Sequence, residues 1–336
     1  MQLKPINQQV VVIVGATSGI GRAAALRFGE QGARMLVSSR SQDELDALVA
    51  EISARGGHAI AYAADTGDFE QVQAVANTAA NSFGRIDTWV HSAAVMMYAP
   101  FAETSPEEFK RIIEVNLLGQ VYGAMAALPH LRREGRGALI HLSSVEARRS
   151  LPYQSAYAAS KHGMIGFLDS LRTELEEADL PINVTNIMPS GINTPLYEKA
   201  LTRLGVQPQP VPPIYDPELV ADAILFAAEN PARDIVVGGA GKALALTERL
   251  SPRLADKIVE KIAFHGQRTR RPKSEHAPNN LFRHLPGYDQ VHGPYEDRAR
   301  STSIYTWLRT RPVAAWMVTG AALAAVALVS NRIQKG

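Results

Sequence analysis

The stretch VVVIVGATSGIGRAAALRF, residues 10–28, joins a β-branched apolar run to a glycine-rich turn and then to a run of good helix formers. Gly15, Gly19 and Gly21 permit a tight turn and let a ligand approach the backbone where a side chain would collide. The first amides of the following helix can hold a pyrophosphate. We therefore predict a dinucleotide-binding unit whose phosphate loop also includes Thr17, Ser18 and Ile20.

The rest of the chain up to about residue 240 repeats this alternation of short strands and helices, which is typical of βαβ units. We predict an α/β fold over residues 1–240, a single doubly wound domain with a central parallel sheet of about seven strands. The seven predicted strands are VVVIVG, RMLVSS, HAIAYAAD, TWVHSAA, ALIHLSS, INVTNIMP and DIVVGG. Ligands of such a sheet lie beyond the carboxyl ends of its strands.

Composition narrows the possible functions. A chain of 336 residues with 46% hydrophobic and 20% charged residues has the balance of a globular protein with a substantial core. Its net charge of +2 gives no general attraction to nucleic acid. The sequence contains no cysteine, which excludes disulfides, thiolate catalysis and thiolate metal sites. We also predict no metal site from the evenly spaced His276, His284 and His292.

Beyond residue 240 the sequence changes character. Residues 241–265 predict an amphipathic helical extension, because apolar residues recur every four positions and Ser251 and Pro252 can start a second helix. These apolar residues are Leu246, Leu250, Leu254, Ile258 and Ile262. They suggest core packing or a subunit contact, with docking on a membrane surface as the alternative. Residues 266–311, including the basic cluster RTRRPK at 268–273, predict a linker or a surface-wrapping segment.

The C-terminal apolar run suggests a membrane anchor. Val313–Ser330 contains no charged residue and is flanked by arginine and lysine, so we predict a transmembrane helix within residues 312–331. Its alanine content also fits a buried or oligomer-forming helix. The N-terminus carries no signal-peptide pattern, and most Lys and Arg residues precede the apolar run. We therefore expect a cytoplasmic catalytic domain attached to a membrane.

The end of the second predicted strand indicates which dinucleotide binds. A carboxylate at this position would bond to the ribose hydroxyls of NAD and repel a phosphate. Ser39, Arg40 and Ser41 stand there instead. A guanidinium beside hydroxyl groups suits a 2′-phosphate, which it can grip with two hydrogen bonds. The sequence thus favours NADP(H) as the cofactor.

The stretch SAYAASKHG, residues 155–163, places Tyr157 and Lys161 one helical turn apart on the same face. An isolated Y-x-x-x-K pair also fits an ordinary surface helix, so other motifs must decide. They follow in order along the chain: GATSGIG, Asp65 after the third strand, Asn116 in VNLLG, Ser144 in LSS, YAASK and PSGINTP. With these motifs, residues 8 to about 240 resemble the short-chain dehydrogenase/reductase family, whose fold is a single Rossmann domain.

The resemblance implies a catalytic role for four residues. Tyr157 would be the general acid or base, and Lys161 together with a positively charged oxidised nicotinamide would lower its pKa. Lys161 would also hold the nicotinamide ribose. Ser144 would orient the substrate oxygen, with Ser143 as the alternative, and Asn116 would anchor a water that passes protons to Lys161. Further cofactor contacts would come from Asp65, Thr66, Ala93, Pro189, Ile192 and Thr194, besides Tyr157 and Lys161 themselves.

The sequence departs from the family pattern at three places. Val14 replaces a common threonine, His91 and Ser92 replace asparagines near the adenosine, and Ser190 replaces a glycine beside the nicotinamide. All catalytic positions are filled. We therefore expect an NADP(H)-dependent oxidoreductase acting on a small-molecule carbonyl or alcohol. The predicted membrane anchor suggests that this substrate is lipophilic. The alternatives are a non-enzymatic NADP(H)-binding membrane scaffold and an epimerase or dehydratase of the same fold. The family resemblance also implies a homo-oligomer.

Overall fold

The computed structural model describes residues 2–311, in which eleven helices alternate with the strands for most of the chain. Helices of the first part are α1 (Gly19–Glu30), α2 (Gln42–Ala54), α3 (Phe69–Phe83), α4 (Pro106–Ile113), α5 (Gly119–Arg133) and α6 (Ser155–Glu177). They are followed by α7 (Leu196–Lys199), α8 (Pro217–Glu229), α9 (Gly239–Leu250), α10 (Pro252–Gly266) and α11 (Ile304–Arg309).

A seven-stranded parallel sheet forms the centre of the fold, in the order β12-β7-β6-β4-β1-β2-β3. Its strands are β1 (Val10–Val14), β2 (Arg34–Ser39), β3 (His58–Ala63), β4 (Thr88–His91), β6 (Gly137–Leu142), β7 (Ile182–Pro189) and β12 (Asp234–Val237). The short strands outside it are β5 (Met97–Tyr98), β8 (Gly191–Ile192), β9 (Leu201–Thr202), β10 (Val206–Pro208), β11 (Ile214–Tyr215), β13 (Arg268–Pro272) and β14 (Ala299–Arg300). The predicted fold class and all seven predicted strands are confirmed.

The central strand β1 is buried on both faces, which is why its sequence is continuously apolar. Successive side chains of a strand point to opposite faces. Val11 and Ile13 join one core with α1, α2 and α8, whereas Val12 and Val14 join the other with α3, α5 and α6. The sheet is therefore covered by helices on both sides. Because its strands are parallel, their carboxyl ends all lie at the same edge of the sheet.

The extension after β12 packs on the domain through paired strands and helices. The basic cluster at 268–273, which the sequence assigned to a linker, forms β13 and pairs antiparallel with β10. Further on, β14 pairs in parallel with β11. The segment Leu196–Tyr215 thus contains β9, β10 and β11. Edge pairing between two short segments leaves no period in the sequence, so a sequence pattern does not indicate these strands.

The predicted apolar stripe of the extension divides between two helices. The break at Ser251 and Pro252 ends α9 and starts α10, which resets the helical register. Leu246 and Leu250 are 50% and 75% exposed, and α10 buries Ala255, Val259 and Ala263 instead. Ile258 and Ile262 from the stripe face the main cavity. The expected core packing therefore does not apply to the leucines.

One helical stretch among residues 2–311, Pro106–Arg133, is long and apolar enough by length and composition to cross a membrane. It consists of α4, a π-helical turn at Glu114–Leu118 and α5, and half of its most apolar window is buried. It packs against α3 and α6 beside the sheet, which makes it a core element of this fold. The predicted membrane helix at 312–331 lies outside the described residues and stays a prediction.

Candidate active site

A cavity of about 480 Å³ lies beyond the carboxyl ends of the parallel strands, where a doubly wound sheet places its ligands. Most residues predicted from the motifs line it: Gly15, Thr17, Ser18, Gly19, Ile20, Ser39, Arg40, Asp65, Thr66, Ala93, Ser144, Tyr157, Lys161, Pro189, Ile192 and Thr194. Gly21, Ser41 and Asn116 are not among the lining residues. The fold thus brings the phosphate loop and the predicted catalytic residues into one cleft.

The glycines of the phosphate loop have distinct structural roles. Gly15 has a φ of +83°, and a Cβ there would lie 2.5 Å from the backbone nitrogen of Ala93 after β4. A Cβ on Gly19, also in the left-handed region, would press on Thr194. A Cβ on Gly21 would collide with the carbonyl oxygen of Gly15, so this glycine packs α1 against the loop. Gly15 and Gly19 therefore let the loops after β1, β4 and β7 pack closely together, and both line the cavity.

Arg40 lines the cavity at the end of β2, where the sequence predicts the contact with the adenosine ribose. Its Nη2 donates to the carbonyl oxygen of Asn280 at 2.9 Å, and its buried Nη1 has no hydrogen-bond partner among the described residues. Burial is the main cause that lowers its pKa from the usual arginine value. The Ser41 hydroxyl accepts a bond from the amide of Glu44 at 3.4 Å and so caps α2. Ser41 therefore has a structural role besides the cofactor contact predicted for it.

Asp65 and Thr66 are fixed by neighbours that the motif analysis did not identify. Asp65 Oδ2 accepts from Nη2 of Arg111 on α4 at 2.5 Å. Thr66 Oγ1 lies 2.8 Å from Nε2 of His91, a fully buried residue that does not line the cavity. Burial lowers the pKa of His91 well below its ordinary value. His91 therefore has a structural role, in which it supports Thr66 from outside the cavity.

The predicted catalytic residues meet at the ends of β6 and the start of α6. Ser144 follows β6, and its side chain forms a hydrogen bond to Tyr157 that lowers the pKa of the phenol. Lys161 donates from Nζ to the carbonyl oxygen of Leu142 at 2.9 Å, and its Nζ lies 5.4 Å from the ring centre of Tyr157. A helical spacing of four residues thus puts the phenol and the ammonium on one side of α6.

Burial dominates the pKa of Tyr157 in this structure. Burial, together with the charge of Glu146, raises the pKa of Tyr157 above its usual value despite the hydrogen bond from Ser144. Burial also lowers the pKa of Lys161 to about 7. Desolvation therefore outweighs the effect of Lys161 on the phenol in this structure, and the lowering of the tyrosine pKa by Lys161 together with an oxidised nicotinamide stays a prediction.

Glu146 is a titratable residue of the cavity that sequence reasoning missed. Burial raises its pKa to about 8, and its Oε2 is buried without a hydrogen-bond partner in the described part of the chain. Its backbone amide donates to Ser144 Oγ at 3.1 Å, which helps to orient that hydroxyl. The sequence signal for Glu146 was its position two residues after Ser144. Only the structure shows that Glu146 is buried and lines the cavity.

Asn116 lies in the π-helical turn between α4 and α5. Its Oδ1 accepts from the amide of Val95, and its Nδ2 donates to the carbonyl oxygen of Val95, both at 2.8 Å. The side chain therefore clamps the loop after β4. The predicted water relay to Lys161 is not visible in these contacts and stays a prediction.

Ser190 fits beside the cavity because two glycines leave room for it. A Cβ on Gly238 would lie 2.6 Å from Ser190 Oγ, and one on Gly241 would collide with the same atom. The hydroxyl donates to the carbonyl oxygen of Gly238 at 3.2 Å. The departure from glycine at position 190 is thus compensated at the start of α9.

The extension closes the other side of the cavity, which the sequence did not reveal. Its contributing residues are Ala240, Gly241, Ala243, Leu244, Thr247, Ile258, Ile262, Gln267, Asn280, His284 and Leu285. His284 Nε2 lies 3.2 Å from Glu44, and His292 Nε2 lies 3.0 Å from Glu218. His276 is paired weakly with Glu275. The three histidines thus have separate partners, and the segment that carries them belongs to the cavity wall.

Comparison with known proteins agrees with this geometry. The family model of the short chain dehydrogenases matches residues 9–204. An uncharacterized oxidoreductase of Bacillus subtilis is 40% identical over 93% of this chain and 88% of its own length. A 3-oxoacyl-[acyl-carrier-protein] reductase of Thermotoga maritima is 32% identical, covering 67% of this chain and 92% of its own.

Further matches extend the comparison to animals and to a solved structure. A dehydrogenase/reductase SDR family member 7B of Bos taurus is 33% identical over 76% of this chain and 81% of its own. An alcohol dehydrogenase of Thermococcus sibiricus, solved with 5-hydroxy-NADP, shares the fold with a TM-score of 0.60 at 24% identity, covering 68% and 95% of the two chains. The chain therefore belongs to the short-chain dehydrogenase family of oxidoreductases.

Proposed function

We propose that the chain transfers hydride between NADPH and a carbonyl or alcohol substrate. The observation that supports this best is that Ser144, Tyr157 and Lys161 line the same cavity as the phosphate loop and Arg40. When bound, the nicotinamide supplies the hydride, or accepts it in the reverse direction. The residues of this chain bind the partners, orient the reacting oxygen and hold the proton that it takes up.

The residues at the adenosine end fit a 2′-phosphate. Gly15 and Gly19 line the cavity, and the buried Nη1 of Arg40 has no hydrogen-bond partner among the described residues. A buried donor without a partner is costly, and a phosphate oxygen would satisfy it with a charge-assisted hydrogen bond. Arg22, which follows Gly21 in the first turn of α1, forms an ion pair with Glu51 instead. These contacts support NADP(H) over NAD(H).

Tyr157 and Ser144 have the positions needed to protonate a carbonyl oxygen. A raised pKa keeps the phenol protonated at neutral pH, which is the form that a general acid requires. The Ser144 hydroxyl, held by the amide of Glu146, can donate to the same oxygen and stabilise the charge that develops on it. These properties support reduction of a carbonyl as the favoured direction, as does the reductase relative from Thermotoga maritima.

The lining of the cavity supports a lipophilic substrate. Its wall near the catalytic residues includes Leu151, Leu196, Leu244, Ile258 and Ile262. Leu196 comes from the segment after β7, and Leu244, Ile258 and Ile262 come from the extension after β12, so the extension and the loop before α8 would determine substrate selection. Apolar walls with few polar groups bind ligands by burying hydrocarbon surface.

The proposal includes attachment to a membrane through residues 312–331 and assembly into a homo-oligomer. The uncharged run Val313–Ser330 supports the attachment. So do the exposed Leu246, Leu250 and Leu254 on α9 and α10, because α11, shortly before residue 312, packs against α9. An apolar face beside a predicted anchor would suit access from a lipid phase.

Transfer of label from NADPH tests the proposed function directly. With NADPH carrying deuterium on nicotinamide C4, we expect the label to appear on the carbinol carbon of a lipophilic ketone, detected by mass spectrometry. An epimerase would return the label to its cofactor, and a dehydratase or a scaffold would leave it there. Binding of NADPH without label transfer to any of a broad set of ketones would contradict the oxidoreductase proposal.

Replacement of Arg40 tests the choice of cofactor. In Arg40→Ser we expect the Kd for NADPH to rise by about tenfold to a hundredfold, because a charged hydrogen bond to the 2′-phosphate is lost. The Kd for NADH should change little, since it has no 2′-phosphate. Isothermal titration calorimetry measures both. The matched control is Arg22→Ser, which removes the same charge from an arginine paired with Glu51. Equal loss of both dinucleotides in Arg40→Ser would show that Arg40 does not recognise the phosphate.

A further inference from the structure

Lys199, the last residue of α7, occupies an unusual electrostatic position in the cavity wall. Its Nζ donates to Ser18 Oγ at 2.7 Å. Ser18 is the N-cap of α1, and its side chain makes no capping bond to that helix. The N-terminus of a helix carries partial positive charge, so a lysine ammonium placed there is unfavourable unless an anion joins them.

The cation has no compensating carboxylate at close range. In residues 2–311, no carboxylate oxygen forms an ion pair with Lys199, and the guanidinium of Arg40 faces the same region. Burial lowers the pKa of Lys199 to about 8, and the charge of Arg40 acts in the same direction, whereas the charges of Glu44, Glu198 and Asp289 raise it without forming an ion pair. The fold thus holds two cations and a helix N-terminus around one space, which is the arrangement that binds phosphate groups.

The C-terminal extension fixes Lys199 in this position. The amide of Asn280 donates to the carbonyl oxygen of Lys199 at 3.0 Å. Lys273 Nζ donates to the carbonyl oxygens of Glu198 and Ala200, at 2.5 and 2.8 Å. Both residues flanking Lys199 are therefore bonded to one ammonium from the extension, so the short helix α7 cannot move without breaking these contacts.

The same segment contacts the two other cofactor loops. The carbonyl oxygen of Gln290 accepts from the amide of Gly19 at 3.0 Å, on the phosphate loop. The amide of Tyr295 donates to Asn193 Oδ1 at 3.1 Å, on the loop after β7. Residues 280–295 therefore tie the phosphate loop, α7 and the PSGINTP loop to one another.

We propose that Lys199 is a ligand of the dinucleotide pyrophosphate, held in register with the phosphate loop by residues 273–295 of the extension. This inference rests on the proposed function, because it requires a dinucleotide in the cavity. The pyrophosphate is favoured over the 2′-phosphate because the ammonium bonds to Ser18 at the start of α1, where the pyrophosphate is bound in doubly wound folds. Arg40 would serve the 2′-phosphate from the other end.

Substitution of Lys199 tests the assignment by binding measurements alone. In Lys199→Met we expect the Kd values for NADPH and NADH to rise together, each by about tenfold to a hundredfold, because both molecules share the pyrophosphate. Lys199→Arg should restore binding to within about threefold of the wild type, because a guanidinium also binds phosphate. The control Lys110→Met removes an exposed lysine of α4 and should leave both Kd values unchanged.

Proton uptake separates a ligand from a merely structural lysine. A lysine with a pKa of about 8 is partly neutral at pH 8.5, and an adjacent pyrophosphate favours its charged form. Binding of either dinucleotide at pH 8.5 should therefore take up part of a proton in the wild type and less in Lys199→Met. Calorimetry in buffers of different ionisation enthalpy measures this difference.

Three outcomes would overturn the assignment. Unchanged Kd values in Lys199→Met would exclude a ligand role. A loss confined to NADPH would place the lysine on the 2′-phosphate, and failure of Lys199→Arg to restore binding together with unchanged proton uptake would indicate packing only. A wild-type chain that binds neither dinucleotide would overturn the proposed function as well, whereas the other outcomes concern Lys199 alone.

Discussion

Tyr157→Phe is expected to lose nearly all hydride transfer while it still binds NADPH. General acid–base catalysis typically contributes about 10²- to 10⁴-fold to a rate, so we expect kcat to fall by about a thousandfold. The substitution removes one oxygen from a buried ring in the cavity and leaves the aromatic packing in place. Cofactor binding should persist, because the phosphate loop, Arg40 and Lys161 are unchanged.

The measurement compares single-turnover transfer of deuterium from labelled NADPH with the Kd of NADPH in the same preparation. Tyr153→Phe is the matched control. Tyr153 lies four residues before Tyr157 in the sequence but does not line the cavity. We expect the control to transfer label at the wild-type rate. Full activity of Tyr157→Phe would refute the acid–base role, and a biological effect that survives without any label transfer would favour the scaffold alternative.

Gly15→Ala is expected to reduce both stability and cofactor binding. An alanine at φ +83° adopts the left-handed region at a cost of about 1–2 kcal/mol. Its Cβ would also lie 2.5 Å from the backbone nitrogen of Ala93, so the loop after β4 must move away from the loop after β1. We expect the free energy of unfolding to fall by about 3 kcal/mol in total, the range of substitutions that combine strain with overpacking.

Gly56→Ala isolates the backbone cost, because Gly56 has nearly the same φ, +82°, and no atom within 4 Å of its added Cβ. We expect a loss of about 1–2 kcal/mol there from strain alone, with unchanged affinity for NADPH. Urea unfolding monitored by circular dichroism gives both stabilities, and calorimetry gives the Kd. If Gly15→Ala were no more destabilising than Gly56→Ala, the contact between the two loops would not be the reason for glycine at position 15.

The motif residues could be located from the sequence because each motif is local along the chain. Gly15 follows β1, Arg40 follows β2, Asp65 follows β3 and Ser144 follows β6, and strand ends of a parallel sheet lie at one edge. Period-2 and period-3.6 patterns predict such strands and helices without any knowledge of distant contacts. The positions of these side chains in one cleft then follow from the sheet itself.

The contributions of the extension could not be predicted in this way. Nothing in the sequence pairs Asn280 with Arg40 and Lys199, or Gln290 with Gly19, because these are single hydrogen bonds between irregular segments far apart in the chain. The Leu246–Ile262 recurrence even suggested one continuous face, which the break at Ser251 divides. Contacts between segments without a period leave no signal that a sequence pattern can carry.

The sequence by itself determined the parallel sheet, the glycine turn after β1 and the positions of the candidate catalytic residues along the chain, because strand and helix patterns and the glycine turn depend on neighbouring residues only. The tertiary structure alone decided the electrostatic state of the site. Burial raises the pKa of Tyr157, brings that of Glu146 to about 8 and lowers that of Lys161 to about 7. Desolvation depends on every atom that surrounds a group, including those of an extension more than a hundred residues away, and so it exists only in the folded chain.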